Sequence, residues 1–309
     1  MGKVIDYRPF RKIEKKKKRK RRDIHPLLVV LILITIMSAY YIAQNGVDII
    51  EVSNNNSVYS TIEAGLLNNQ TEIMVSTHDD AEKIIEEAIR VLNAHPELFW
   101  ATGGFSMTSM PNMALPTYTL KIDSRCRQDD IPQMMISLNE TVDSIVDAAN
   151  AKCDSDYEKA AFVHDFIVLN CTYDADAFNK YLNNSNDGTS LAYTSYGCLV
   201  NRKAVCAGYS KAYKLILNRL NIECEVVSGT ATNDMGTGNH AWNYIKLDDG
   251  YYLVDVTWDD PVSFDGTQRK EVRRDYFCLN SEMMSKDHFP DAEEEVPNCD
   301  GKRYLNLKY

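Results

Sequence analysis

The sequence contains no C-x-x-C pair, no glycine-rich phosphate loop, no internal repeat and no EF-hand pattern. A zinc ribbon, a thioredoxin-like redox site, a phosphate-cradling loop, a solenoid and calcium activation through EF-hands are therefore unsupported. Charge is missing from one long stretch, because no Asp, Glu, Lys or Arg occurs from Ile24 to Val47. What remains is ample for a folded body: 309 residues, 44% hydrophobic and 25% charged, which excludes a disordered or collagen-like chain.

The net charge of −10 conceals an asymmetry. Residues 1–25 hold twelve Lys/Arg and three Asp/Glu, leaving twenty-two basic against forty-one acidic residues in the rest. A nucleic-acid binder needs a basic face on its folded part, so the acidic body argues against nucleic acid as a partner. The basic run Lys15–Arg22 is explained instead by the apolar stretch on its C-terminal side.

Residues 26–43 (PLLVVLILITIMSAYYIA) are almost wholly apolar. As a helix these eighteen positions span roughly 27 Å, close to the hydrocarbon thickness of a bilayer. The expected organisation is a basic cytoplasmic tail (1–25), a single transmembrane anchor (26–43) and an extracytoplasmic remainder, oriented by the positive-inside rule. A cleaved signal peptide with a core at 27–37 is disfavoured, since Tyr40, Tyr41 and Ile42 spoil an A-x-A-like cleavage site. Asp6 stands where myristoylation of Gly2 needs Ser or Thr.

Residues 44–77 are rich in Asn, Ser and Gln and read as a flexible linker. An N-terminal α/β subdomain is expected over 78–152. It begins with an amphipathic helix at 79–93, capped by Thr77 or Asp79, followed by a hairpin-like pair at 97–109 and 116–123, and then a helix at 131–152. Residues 153–309 form the expected catalytic domain. It holds a helix at 156–171, a polar loop at 183–189, a helix at 206–220 ended by Asn221, and strands near 223–230, 241–247 and 251–257. Helices followed by an antiparallel sheet indicate an α+β fold rather than alternating βαβ units.

Three segments carry chemistry: AVCAGYSKAY with Cys206, GNHAWNYIKL with His240 and GYYLVDVTWDDP with Asp255. A nucleophilic thiol needs a base, and the base needs an acceptor that fixes its orientation. Cys206 at a helix start is favoured as thiolate by the helix dipole, and the first-turn amides there can hold an oxyanion. A strand reversal centred on Leu247 and Asp248 sets His240 directly opposite Asp255, with Cβ atoms about 5 Å apart. A hairpin at Asp249-Gly250 keeps both on one face but four positions out of step, about 13 Å, and then requires a bulge or a late strand start.

These segments, with YEKAAFVHDFIVLNCTYD, SYGCLVNRKAVCAGYSKAY and ECEVVSG, make residues 156–261 resemble the transglutaminase-like superfamily, relatives of the papain-type cysteine proteases. The resemblance implies a nucleophile helix packed on an antiparallel sheet, with Cys206 as nucleophile, His240 as general base and acid, and Asp255 as orienting carboxylate. It implies no cofactor and no metal. The implied protein is a membrane-anchored bacterial envelope enzyme that cleaves or transfers peptide or protein amides through a thioester. The alternative is a non-catalytic surface module binding a peptide or wall component in the same cleft. Trp242 and Trp258 are expected to pack the sheet and wall the cleft. Tyr196 is a candidate oxyanion donor, with a core tyrosine as the preferred reading, and His164 and His288 are read as structural. The eight cysteines are expected to be mostly reduced, or joined in one or two bridges.

Overall fold

The computed structural model describes residues 57–110, 115–183, 190–234, 236–260 and 272–305. The expected basic tail and membrane anchor lie outside the described residues, as do 44–56 of the expected linker, 184–189 of the polar loop, and Pro261. Among the described residues no helix is long and apolar enough to cross a membrane.

From Ser57 onward the expected linker is folded. Helix α1 (Val58–Leu67) turns Ile62 and Leu66 into the core, and Ser57 caps it by accepting the Ser60 amide. Strand β1 (Glu72–Ser76) alternates exposed and buried positions, with Ile73 and Val75 inward. The composition misleads here because the Asn and Gln residues occupy the connection while the apolar spacing is intact. Asn69, for example, sits in the left-handed region between the two elements.

Helix α2 (Ala81–Ala94) is capped by Asp80, not by Thr77 or Asp79, which bond each other instead. Strands β2 (Ala101–Met110) and β3 (Thr117–Ser124) form the expected antiparallel pair, and β1 joins them in the order β1-β3-β2. Helix α3 (Ile131–Lys152) follows. Helix α4 (Asp156–Asn170) starts on a capping box of Ser155 and Glu158, which satisfies two orphan donors at once.

Short elements then lead to Cys206. Strand β4 (Thr172–Tyr173) leads into α5 (Ala175–Leu182), and α6 (Ser195–Leu199) precedes β5 (Lys203–Ala204). Strands β4 and β5 pair in parallel, Tyr173 opposite Ala204. Helix α7 (Cys206–Arg219) begins two residues later and ends where Asn221 takes a positive φ, as expected. The second sheet comprises β6 (Cys224–Asn233), β7 (Gly236–Leu247), β8 (Gly250–Val254) and β9 (His288–Pro290), antiparallel in the order β8-β7-β6-β9. The four-residue helix α8 (Ser281–Met284) precedes β9.

Helix α7 packs on β6 and β7, so the helix that begins at Cys206 lies against an antiparallel sheet in a mixed α+β fold. Polar ties fix the contact. Ser210 Oγ donates to the Ala241 carbonyl at 3.0 Å, and Asn243 Nδ2 donates to the carbonyls of Ser210 and Glu225, each at 3.1 Å. The buried Lys214 ammonium bonds the Glu225 carboxylate and the Asn93 carbonyl, joining helix, sheet and α2. One hydrophobic cluster runs from Ile62 to Tyr304.

Candidate active site

The turn between β7 and β8 decides whether His240 meets Asp255. It uses Asp248 and Asp249, with Leu247 paired to Gly250 and Asn243 to Val254. This register lies midway between the two expected from the sequence. Extended past Val254 it leaves His240 and Asp255 on one face, two positions out of step, roughly 7 Å along the strand. No bulge is needed, since β7 already includes His240. The side chains cross that diagonal, and His240 Nε2 lies 2.6 Å from Asp255 Oδ2.

Asp255 is fully buried, just past the end of β8, where the chain turns. Its carboxylate accepts four hydrogen bonds. Oδ1 takes the amides of Thr257 (2.9 Å) and Trp258 (3.2 Å), while Oδ2 takes His240 and, at 3.1 Å, His288 Nε2. Burial favours the neutral acid, yet the His240 charge and hydrogen bond, with help from His288, overcome it. Asp255 is held far below the ordinary carboxylate range.

His240 is half-buried. Desolvation pulls its ring toward the neutral form, but the Asp255 charge and hydrogen bond, and the Cys206 thiol, outweigh this and raise the pKa to about 10. Nε2 is engaged by Asp255, which leaves Nδ1 for the thiol. Cys206 is partly exposed at the first position of α7, and no side chain caps the first-turn amides beside it. An imidazolium, a thiol and uncapped amides thus share one place. This arrangement can stabilise a thiolate and receive an oxyanion.

His288, read from the sequence as structural, also bonds Asp255; a three-residue strand carries no periodicity and its partner β6 lies almost sixty residues earlier, so this link is not legible in the chain. Strand β9 pairs Ala231 with His288 and Gly229 with Pro290. Gly229 also pairs with His240, and a Cβ there would meet the Phe289 carbonyl at 2.2 Å and Trp242 at 2.8 Å. The missing side chain therefore lets β9 and Trp242 close up beside the site. His288 Nδ1 lies 2.6 Å from Asp287 Oδ1, and Asp287 accepts from the Tyr276 hydroxyl at 2.8 Å. The ring is enclosed by Trp258 (4.5 Å), Trp242 (5.0 Å) and Tyr276 (5.4 Å). Trp258 and Trp242 also flank His240, at 5.6 and 6.1 Å.

His288→Phe keeps an aromatic ring in this enclosure and removes one donor from Asp255. We expect kcat/KM to fall about tenfold, the value of one hydrogen bond to a charged group. The alkaline limb of the pH profile should stay or rise, since a carboxylate with fewer donors attracts the His240 proton more strongly. A limb moving toward neutrality would contradict this role.

Among the described residues, His240, Asp255 and His288 also form a trio whose ligating atoms lie within 4.8 Å of one another. Both imidazoles already address the same carboxylate oxygen at hydrogen-bond distances, whereas zinc requires each ligand at about 2.0–2.2 Å. The trio as arranged is a doubly bonded carboxylate.

Tyr196 is partly buried, packed against the core with its ring tilted on Phe99, centroids 4.6 Å apart. The phenols that feel the Cys206 sulfur are Tyr173 and Tyr193, both raised by burial first and then by Cys206. The β4–β5 pairing brings Tyr173 there. His164 is buried and bonds Asp165 and Asp259, each at 3.0 Å. Asp259 in turn accepts the Tyr276 amide, so this histidine braces the turn after Asp255. All eight cysteines are free thiols.

Residues 143–256 match the family described as Transglutaminase-like superfamily, a span that contains Cys206, His240 and Asp255. The kyphoscoliosis peptidase of Mus musculus is 25% identical over 182 residues, covering 55% of this chain and 25% of the mouse protein. That of Homo sapiens is 23% identical over 172 residues, covering 52% and 25%. The chain thus spans about a quarter of the length of these relatives. A TGase of known crystal structure aligns with a TM-score of 0.36 and 18% identity, covering 64% of this chain and 53% of the other. The chain carries a transglutaminase-like superfamily domain over residues 143–256.

Proposed function

We propose that this protein is a cysteine hydrolase or acyltransferase acting on peptide or protein amides, anchored through residues 26–43 with its catalytic part outside the cytoplasmic membrane. The observation that carries the reading is the convergence of a partly exposed Cys206, a His240 bonded to Asp255 at 2.6 Å, and a buried Asp255 that accepts four hydrogen bonds.

The Cys206 sulfur attacks the amide carbonyl, and the developing oxyanion meets the uncapped amides at the start of α7. The His240 imidazolium gives its proton to the leaving amine as the C–N bond breaks, leaving a thioester on Cys206. Neutral His240 then takes a proton from water or from an incoming amine, and the thioester resolves to an acid or a new amide. Asp255 remains ionised throughout and holds the ring with Nδ1 toward the sulfur. The name peptidase on the similar mouse and human proteins accords with an amide substrate.

The test is mass-resolved turnover of a glutamine-containing peptide pool with and without a primary amine. Hydrolysis adds water and splits a peptide, deamidation adds about 1 Da, and transamidation adds the amine less ammonia. We expect at least one of these, dependent on Cys206. Peptide binding without turnover would leave the surface-module reading in its place.

A further inference from the structure

Two adjacent residues of α7, one turn beyond Cys206, make separate ties to the rest of the site. Ser210 holds the carbonyl of Ala241, next to His240. Tyr209 donates its hydroxyl to Asp260 Oδ2 at 2.7 Å. Both partners of this second bond are buried, Tyr209 completely. Burial pushes the phenol up, so it remains a donor through neutral and mildly alkaline pH.

Asp260 belongs to the turn that begins at Asp255. The Asp260 amide donates to the Thr257 carbonyl at 3.1 Å and the Asp259 amide to the Asp255 carbonyl at 3.3 Å, while the Thr257 and Trp258 amides hold Asp255 Oδ1. His164 and the Tyr276 amide grip Asp259 in the same turn. A displacement of Asp260 therefore passes to the Asp255 carboxylate through a few short bonds. At the other end, Tyr209 lies three residues from Cys206, about 4.5 Å along the helix axis. The His240–Asp255 bond fixes the ring to its carboxylate, yet it leaves the two free to shift as a pair against the sulfur. Apolar packing of a helix on a sheet tolerates small slides. A hydrogen bond between buried groups does not, because it weakens steeply with distance and angle and a buried hydroxyl without its acceptor is costly.

We propose that Tyr209 and Asp260 are positioning residues for the triad, and that their hydrogen bond fixes the Cys206 sulfur against the His240–Asp255 pair. The inference rests on the proposed thiol chemistry and names what aligns it.

The experiment compares wild type, Tyr209→Phe and Asp260→Ala as full-length chains in detergent, well below each thermal midpoint. Alkylation by iodoacetamide at pH 7, resolved by mass spectrometry, gives the rate at Cys206 relative to Cys126 and Cys153, which are also not buried. In wild type, Cys206 should react about tenfold faster than either, or more. Tyr209→Phe keeps the ring and should lower the Cys206 rate by about tenfold or more, since a misplacement of about 1 Å costs as much as ~100-fold. The other two thiols should be unchanged. Asp260→Ala should act alike, and adding Tyr209→Phe to it should change nothing further, because both remove one bond. On a glutamine peptide that wild type turns over, kcat should fall in step with alkylation while KM stays within about twofold. A purely structural role predicts the opposite sign, a lower midpoint with faster alkylation of all three thiols. That result, or an unchanged Cys206 rate in both variants, overturns the positioning role alone. Wild-type Cys206 reacting no faster than Cys126 and Cys153 would remove the thiol chemistry itself, and the positioning role with it.

Discussion

Cys206→Ala should lower turnover by about 10⁵- to 10⁶-fold, the scale on which loss of a nucleophile removes catalysis as a unit. It should also abolish covalent labelling by an active-site thiol probe. The thermal midpoint should barely move, because the sulfur is partly exposed at a helix start and alanine is a good residue for that position. Selectivity of the probe is expected because the competing thiols are poorer nucleophiles. Cys126 and Cys153, the other two not buried, are both raised by desolvation, and the remaining five are buried. Unchanged labelling of the variant would remove Cys206 as the nucleophile.

Asp255→Asn should cost about 10³- to 10⁴-fold in kcat/KM, with a change of pH profile that simple misfolding does not produce. In the wild type the alkaline limb should fall near 10, where His240 loses the proton needed by the leaving amine. Without the carboxylate charge, burial is opposed only by Cys206, and the limb should drop from about 10 toward the ordinary histidine value of 6.5. Stability follows the same protons. His240 binds its proton more tightly in the folded chain, so its contribution is complete below pH 6.5 and is lost as pH rises through about 10. Asp255 is lowered on folding, so its contribution is present above its ordinary 3.8 and is lost only in stronger acid. Denaturant titrations from pH 5 to 10 should therefore show wild type losing stability over the alkaline half, and Asp255→Asn losing little there. A limb that stays near 10 in the variant would show that Asp255 does not set the state of His240.

Much of the architecture is local and was legible. The helix expected near 131–152 runs from Ile131 to Lys152, and the β2–β3 pair and the Asn221 stop are written in short-range patterns. Residues 57–77 fold despite their Asn- and Gln-rich composition, because Val58, Ile62 and Leu66 recur at four-residue intervals. Nothing local distinguishes Tyr173 from Tyr196 as a phenol that feels the Cys206 charge. That depends on a two-residue parallel pairing with β5 across some thirty residues.

The residue types of the site were determined by the sequence alone: a thiol at a helix start, an imidazole on one strand and a carboxylate after the next. Their meeting was decided by tertiary structure. The Asp248-Asp249 turn sets a register midway between those open to a reader of the chain, and Gly229 makes room for a strand that arrives from nearly sixty residues away with His288 on it. Backbone propensities act over a few residues, whereas a hydrogen bond between Asp255 and two imidazoles depends on where distant segments are packed, and packing is a property of the whole core.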